Sequence, residues 1–199
     1  GGSFGGGGRF LGAPGSAAPL RWKRVGLRHV TYLWLIRFVG PMLFAATLVH
    51  TVPPLPVVAF AAAYATVQMG VILVNTAEDY PEDVEAGLKT TITALGLWRG
   101  ISLAVAMTWL GGVGVVAILG GLFQKEGVDL SSSGAVPAAA FGCLLSGIAV
   151  TRVRSRMPRG DFDASLRDVR RGGRLVPFWL TFVAWASLLS AYVLYRHRP

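Results

Sequence analysis

Cysteine and charged side chains are both scarce in this sequence. Its one cysteine, Cys143, excludes an intrachain disulfide, and we interpret it as a small core residue within an apolar run. Charged residues make up only 15% of the chain, whereas hydrophobic residues make up 53% and the mean hydropathy is +0.54. This composition excludes an ordinary soluble globule and predicts an all-α, polytopic membrane protein.

Five long apolar runs divide the 199-residue chain. A run of about 20 residues forms a helix long enough to cross roughly 30 Å of hydrocarbon. The predicted transmembrane helices lie at about 31–50, 56–75, 98–122, 135–151 and 176–195. The chain then consists of a Gly-rich, basic N-terminal tail at 1–25, expected to be flexible, and a five-helix transmembrane domain at 26–199.

The distribution of lysine and arginine predicts the orientation of these helices. With five spans, one face carries 15 of these cations and the opposite face carries three. The positive-inside rule therefore places the N-terminus in the cytoplasm, and we expect an inner, cytoplasmic membrane. Arg37 lies within the first predicted span, where a charge is a candidate functional group. Because it is two helical turns from the entry side, it could also snorkel to the headgroups or form a structural ion pair.

The ten acidic residues are concentrated in one place. Five of them follow the second apolar run within eleven residues: Glu78, Asp79, Glu82, Asp83 and Glu85. Asn75, Asp79 and Asp83 recur at i, i+4 and i+8, a spacing that would stack their side chains on one helical face. Such oxygen ligands suit Mg²⁺, and the nearby Lys89 and Thr90 carry groups that bind a diphosphate. The alternative interpretation is a solvated helix end.

Arginines are concentrated between the last two predicted spans, in what we expect to be a loop at 152–174. They are Arg152, Arg154, Arg156, Arg159, Arg167, Arg170, Arg171 and Arg174. We expect no nucleic-acid binding, because no aromatic stacking platform accompanies these arginines and membrane spans flank them. Two interpretations stay open: the arginines set the topology, or they bind phosphate oxygens of lipid headgroups or of a prenyl diphosphate.

The acidic segment resembles a motif of a known family. Its pattern N-x-x-x-D-x-x-x-D, followed by Ala86-Gly-Leu-Lys-Thr90 and Leu95-Gly96, is similar to the second aspartate-rich motif of the UbiA superfamily of intramembrane aromatic prenyltransferases, in particular its menaquinone-type branch. The resemblance covers about 19–195 and includes a turn at Phe38-Val-Gly-Pro41. Three residues depart from the usual family pattern: Thr76, Pro81 and Val84. The first aspartate-rich motif is not found in this sequence, so we expect the chain to correspond to the second half of such an enzyme.

The resemblance implies an enzyme that transfers a polyprenyl group from its diphosphate to an aromatic acceptor, with Mg²⁺ as cofactor. Asp79 and Asp83 would be its catalytic residues, and together with Asn75 they would hold the metal. The residues implied to bind the substrate diphosphate are Asn75, Lys89, Thr90, Arg156, Arg159, Arg170 and Arg171. The partners expected are membrane lipids, polyprenyl diphosphate and other membrane subunits.

A competing hypothesis comes from a different functional class. The chain would then be a non-catalytic, UbiA-like transmembrane subunit that packs in, or holds lipid or quinone for, a larger membrane complex. A transporter is a third hypothesis, since broken helices and intramembrane charges also occur in transporters. No inverted repeat is visible within the five spans to favour it.

Overall fold

The protein is an all-α bundle, as the composition predicts. The computed structural model describes residues 27–48, 52–129, 134–158 and 160–196, so the predicted tail at 1–25 lies outside the described residues. Its helices are α1 (Leu27–Tyr32), a π-helical segment (Leu33–Val39), α2 (Gly40–Thr47), α3 (Leu55–Glu78), α4 (Tyr80–Glu85), α5 (Thr91–Leu95), α6 (Leu97–Lys125), α7 (Ala135–Arg156), α8 (Phe162–Gly173) and α9 (Val176–Arg196).

The prediction of five membrane-spanning segments is confirmed in number by helix length and apolarity. The segments are Arg28–Thr47, which we call the first span, Leu55–Glu78, Leu97–Lys125, Ala135–Arg156 and Phe162–Arg196, the last containing both α8 and α9. Each of the first four begins or ends a few residues away from its predicted bounds. The protein is therefore of the multi-pass membrane class.

Close contact between α3 and α6 forms the centre of the bundle. Gly111 of α6 lies so near the α3 backbone that a Cβ atom there would be 2.6 Å from the Val67 nitrogen and 2.7 Å from the Ala63 carbonyl oxygen. The buried side chains of Val67, Met69 and Phe123 fill the surrounding core. Small residues bring the two backbones together, as is common between membrane helices.

The first span differs from its prediction in two respects. The expected turn at Phe38-Val-Gly-Pro41 is wrong, because the chain stays helical there: the Gly40 N–H donates to the Leu35 carbonyl in the π-helical segment. Pro41 has no N–H and its ring crowds the preceding turn, and a local π-helix accommodates both effects. The span also begins at Arg28. Arg37 is therefore in its middle, not near its entry side.

The prediction of a loop at 152–174 is also wrong for most of its length. Helix α7 continues to Arg156, and α8 occupies Phe162–Gly173. The side chain of Asp161 accepts the Ala164 N–H at 2.9 Å, which caps the start of α8. Ser165, Leu166, Val169 and Gly173 are buried, so α8 is amphipathic with a buried face and an arginine-rich exposed face.

Candidate functional site

The acidic segment is broken at Asp79 instead of forming one continuous helix. Helix α3 ends at Glu78, Asp79 adopts φ −91° and ψ 11°, and α4 starts at Tyr80. Pro81 lies in the first turn of α4 and cannot donate a backbone hydrogen bond to the preceding turn, which explains the interruption. The expectation of a single helix carrying three stacked side chains is therefore wrong.

The three residues predicted to hold a metal lie in different environments. Asn75 and Asp79 are exposed, whereas Asp83 is only 4% exposed. Asn75 and Asp79 are one helical turn apart, where side-chain oxygens can share a hydrated Mg²⁺ that needs only one or two protein carboxylates. No group of three or more His, Cys, Asp or Glu side chains arranged for a metal occurs in 27–48, 52–129, 134–158 and 160–196. Asn75 and Asp79 are thus the two residues of the predicted set that are accessible to solvent.

Lys89 and Thr90 follow α4 but differ in accessibility. Lys89 is exposed, so its ammonium group can reach a bound anion. Thr90 is fully buried, and its hydroxyl accepts the Thr93 N–H at 3.2 Å as the N-cap of α5. The Leu88 N–H also donates to the Asp83 carbonyl at 2.8 Å, which folds this connection back on α4. Thr90 therefore caps α5, directly after the acidic segment, a role that its residue type could have indicated.

Helix α8 has two consecutive glycines, of which Gly173 lies close to the first residue of the acidic segment. A Cβ atom on Gly173 would collide with Oε1 of Glu78 and lie 3.2 Å from Cγ1 of Val74, both on α3. A Cβ atom on Gly172 would collide with Cγ2 of Val153 on α7. A larger residue at Gly173 would require the Glu78 carboxylate to turn aside, and one at Gly172 would crowd the Val153 side chain.

Arg170 joins α8 directly to the acidic segment. Its Nε donates to the Glu78 carbonyl at 3.2 Å, and its Nη2 lies 2.9 Å from Oε1 of Glu82. The two side chains are 48% and 64% exposed, so this ion pair is at the surface. The prediction that the acidic and arginine-rich segments share one end of the bundle is confirmed by this contact.

The other arginines predicted to bind substrate do not join this contact. Arg156 is exposed in the last turn of α7. Arg171 lines a surface depression of about 400 Å³ together with Ala164, Arg167 and Asp168 on a different side of α8. Arg159 lies outside the described residues. The predicted arginine set is thus divided between at least two surfaces.

Arg154 takes a structural position that its sequence context did not indicate. Its guanidinium carbon lies 3.3 Å from the centroid of a Trp98 ring, and its Nε donates to the Ser102 hydroxyl at 2.7 Å. That hydroxyl donates in turn to the Trp98 carbonyl at 2.9 Å. The arrangement fixes the end of α7 to the start of α6. In the sequence, this arrangement is indicated by the i, i+4 spacing of Trp98 and Ser102 alone.

An apolar groove runs along α6 and α7. It has a volume of about 310 Å³ and is lined by Trp109, Gly112, Val113, Val116, Ala117, Ala140, Cys143 and Leu144. Helix α6 starts directly after α5, which follows the acidic segment. The groove lies further along α6, beyond the end that is near the acidic segment in sequence. Its lining suits a hydrocarbon chain.

The fold and the site together define a multi-pass, all-α membrane protein with an acidic and arginine-rich cluster at one end. No family model, curated protein or solved structure matches this chain.

Proposed function

We propose that the chain is the diphosphate-binding part of a UbiA-like intramembrane prenyltransferase that acts with Mg²⁺ at an inner, cytoplasmic membrane. The observation that supports this proposal is the contact between Arg170 and the acidic segment. It brings carboxylates that suit a divalent cation and arginines that suit phosphate to the same end of an apolar bundle.

Asp79 and Asn75 would hold the metal ion, which supplies charge neutralisation to the departing diphosphate. Lys89 is exposed ten positions after Asp79 and would bind a phosphate oxygen. Arg170 would keep α8 against the carboxylates through its bond to Glu82, leaving the remaining arginines to attract the anionic substrate. These residues bind and orient the substrate at the membrane surface.

The apolar groove along α6 and α7 would take the prenyl chain, away from water. In the transfer, the allylic C–O bond to the diphosphate breaks with its electron pair leaving on oxygen. A carbon of the aromatic acceptor forms the new C–C bond and then loses its proton. The products are the prenylated ring and free diphosphate.

The test is prenyl transfer by the full-length gene product, with a radiolabelled polyprenyl diphosphate and an aromatic acceptor in the presence of Mg²⁺. Asp79→Asn should lower turnover by roughly 10²-fold or more, the size expected when an electrostatic group of a transition state is lost. Glu85→Gln is the matched control, since Glu85 is exposed in the same segment but outside the i, i+4 pattern. Equal turnover of the wild type and Asp79→Asn contradicts the proposal.

A non-catalytic membrane subunit is the second candidate, and two observations favour it. Asp83 is buried instead of facing a substrate, and Arg170 is occupied by Glu82. The cluster would then hold helices together within a larger complex. Wild-type protein that binds neither Mg²⁺ nor diphosphate, but elutes stoichiometrically with the same subunits from native membranes, would establish this role.

A further inference from the structure

Arg37 is in the middle of the first span. It is nine positions from Arg28 and ten positions from Thr47, the two ends of that span. At 1.5 Å per residue its Cα lies about 13 Å from the Arg28 end of the helix. When the two ends of the span lie at the two headgroup layers, this is close to half of the roughly 30 Å hydrocarbon thickness. Arg37 is then at a similar distance from both headgroup layers. Its extended side chain can reach only part of the way to either layer.

The first span packs on α3 through residues on either side of Arg37 in the sequence. Nε1 of Trp34 donates to the Thr66 hydroxyl of α3 at 3.1 Å, and Val39 is buried. Arg37 itself is exposed. Within the described part of the chain its guanidinium forms no hydrogen bond or ion pair. A charged side chain at this depth is costly unless an acceptor meets it.

The surface around Arg37 continues as an apolar stripe. Pro41, Phe44 and Leu48 follow Arg37 at intervals of four, three and four residues, the spacing of one helical face. All three are exposed, Phe44 by 68% and Leu48 by 75%. Only 6% of the first span is buried within the protein, against 44% for the segment Leu55–Glu78. We call Arg37, Pro41, Phe44 and Leu48 the Arg37 face.

This chain cannot supply the acceptor from its own carboxylates. The ten acidic residues lie at 78–85, 126–129 and 161–168. Those that fall within spans are near a span end: Glu78 is the last residue of Leu55–Glu78, and Asp163 and Asp168 are in the first seven residues of Phe162–Arg196. The N-terminal segment 1–26 contains no Asp or Glu. Neither that segment nor a second copy of the chain could place a carboxylate at the depth of Arg37.

We propose that the Arg37 face docks a transmembrane helix that is not part of these 199 residues and that carries an Asp or Glu at mid-membrane depth. The carboxyl group of that helix accepts hydrogen bonds from the guanidinium N–H groups of Arg37. Small or apolar residues near the carboxyl group on the same helix pack on Phe44 and Leu48. The inference is independent of prenyl transfer, because it uses no residue of the acidic segment.

The test measures association of the full chain with designed transmembrane peptides in phosphatidylcholine vesicles. One peptide is a leucine-alanine helix of membrane-spanning length with a central Asp, a second has the Asp near one end, and a third has none. Energy transfer between a donor at the N-terminus of the chain and an acceptor on the peptide reports binding. The central-Asp peptide should bind roughly tenfold more tightly than the other two, the size expected for one strong interhelical polar contact.

Variants of the chain identify the group responsible. Arg37→Gln should lose this preference, Arg37→Lys should retain most of it, and Arg28→Gln is the matched control that should leave it unchanged, because Arg28 is at the end of the same span. Equal binding of all three peptides by the wild type overturns the proposal even if Arg37→Gln fails to fold. A preference that appears only when anionic phosphatidylglycerol is added also overturns it, since lipid phosphate would then be the partner.

Discussion

Arg170 and Glu82, 88 residues apart in the chain, form an ion pair of 2.9 Å that connects α8 to the acidic segment. The same guanidinium also donates to the Glu78 carbonyl at the C-terminal end of α3, where helix carbonyls lack partners and attract cations. Arg170 therefore joins the arginine-rich helix to the acidic segment. In the sequence these two polar segments are separate.

Removal of the contacts of Arg170 should destabilise the protein modestly. Arg170→Ala should lower the free energy of unfolding by about 1–2 kcal/mol, because it loses a surface ion pair and a charged bond to a backbone carbonyl. Glu82→Gln should cost less, under about 1 kcal/mol, since it removes only the exposed ion pair. Unfolding in mixed micelles with increasing denaturing detergent measures both. An equal loss in the two variants would show that the bond to Glu78 adds nothing.

Two glycines of α6 should respond in opposite ways to substitution by alanine. Gly111→Ala should destabilise the protein by about 1–3 kcal/mol, because the new methyl group meets the α3 backbone at Val67 and Ala63, which cannot move aside cheaply. Gly120→Ala is the control, because a methyl group added there would meet no atom within 4 Å. It should be neutral or stabilising by up to about 1 kcal/mol through helix propensity. Thermal unfolding in detergent compares the two, and similar melting temperatures would contradict the close contact.

The arginines at the end of α7 should differ in their contribution to stability. Arg154→Ala should cost about 2 kcal/mol or more, because its guanidinium loses the Trp98 ring and the Ser102 hydroxyl. Arg152→Ala should change stability by less than about 0.5 kcal/mol, since Arg152 is exposed. Unfolding of both variants in mixed micelles with increasing denaturing detergent, followed by far-ultraviolet circular dichroism, measures the difference. A larger effect at Arg152 than at Arg154 would refute the assignment.

The two aspartates of the acidic segment should separate into a structural and a functional residue. Asp83→Ala should lower the free energy of unfolding by about 1–3 kcal/mol, because it removes a buried carboxylate from its surroundings. Asp79→Ala should leave stability within about 0.5 kcal/mol, because Asp79 is exposed. Binding of Mn²⁺ as a paramagnetic substitute for Mg²⁺ should be lost in Asp79→Ala. Undiminished Mn²⁺ binding in that variant would remove Asp79 from the proposed metal site.

Sequence patterns identified the long apolar helices reliably but misjudged the polar segments. The five spans follow from run length, because a helix of about 20 apolar residues has no stable alternative to burial in hydrocarbon. The charge density of the segment at 152–174 predicts a loop, because it obscures the apolar spacing of Leu166 and Val169 on one helical face. The cap at Asp161 was the available signal for the helix that forms there.

The acidic segment shows why spacing alone was insufficient for the site. Asn75, Asp79 and Asp83 have helical spacing, but Pro81 interrupts the backbone between them and the surrounding helices bury only Asp83. Which carboxylate is exposed depends on what packs against it, and the neighbours come from distant parts of the chain. Gly173, which lies close to the Glu78 side chain, is one such neighbour.

The sequence by itself determined the class of this protein: an all-α, multi-pass membrane bundle with a concentrated acidic segment and an arginine-rich one. These properties depend on local composition and hydrophobic length, which act within each segment. Only the tertiary structure decided that Arg170 meets Glu82, that Asp83 is buried and that Arg37 is exposed in the middle of a span. Each of these depends on how separate helices pack, because burial and pairing of a charge are set by the neighbouring helix and not by the residues beside it in the chain.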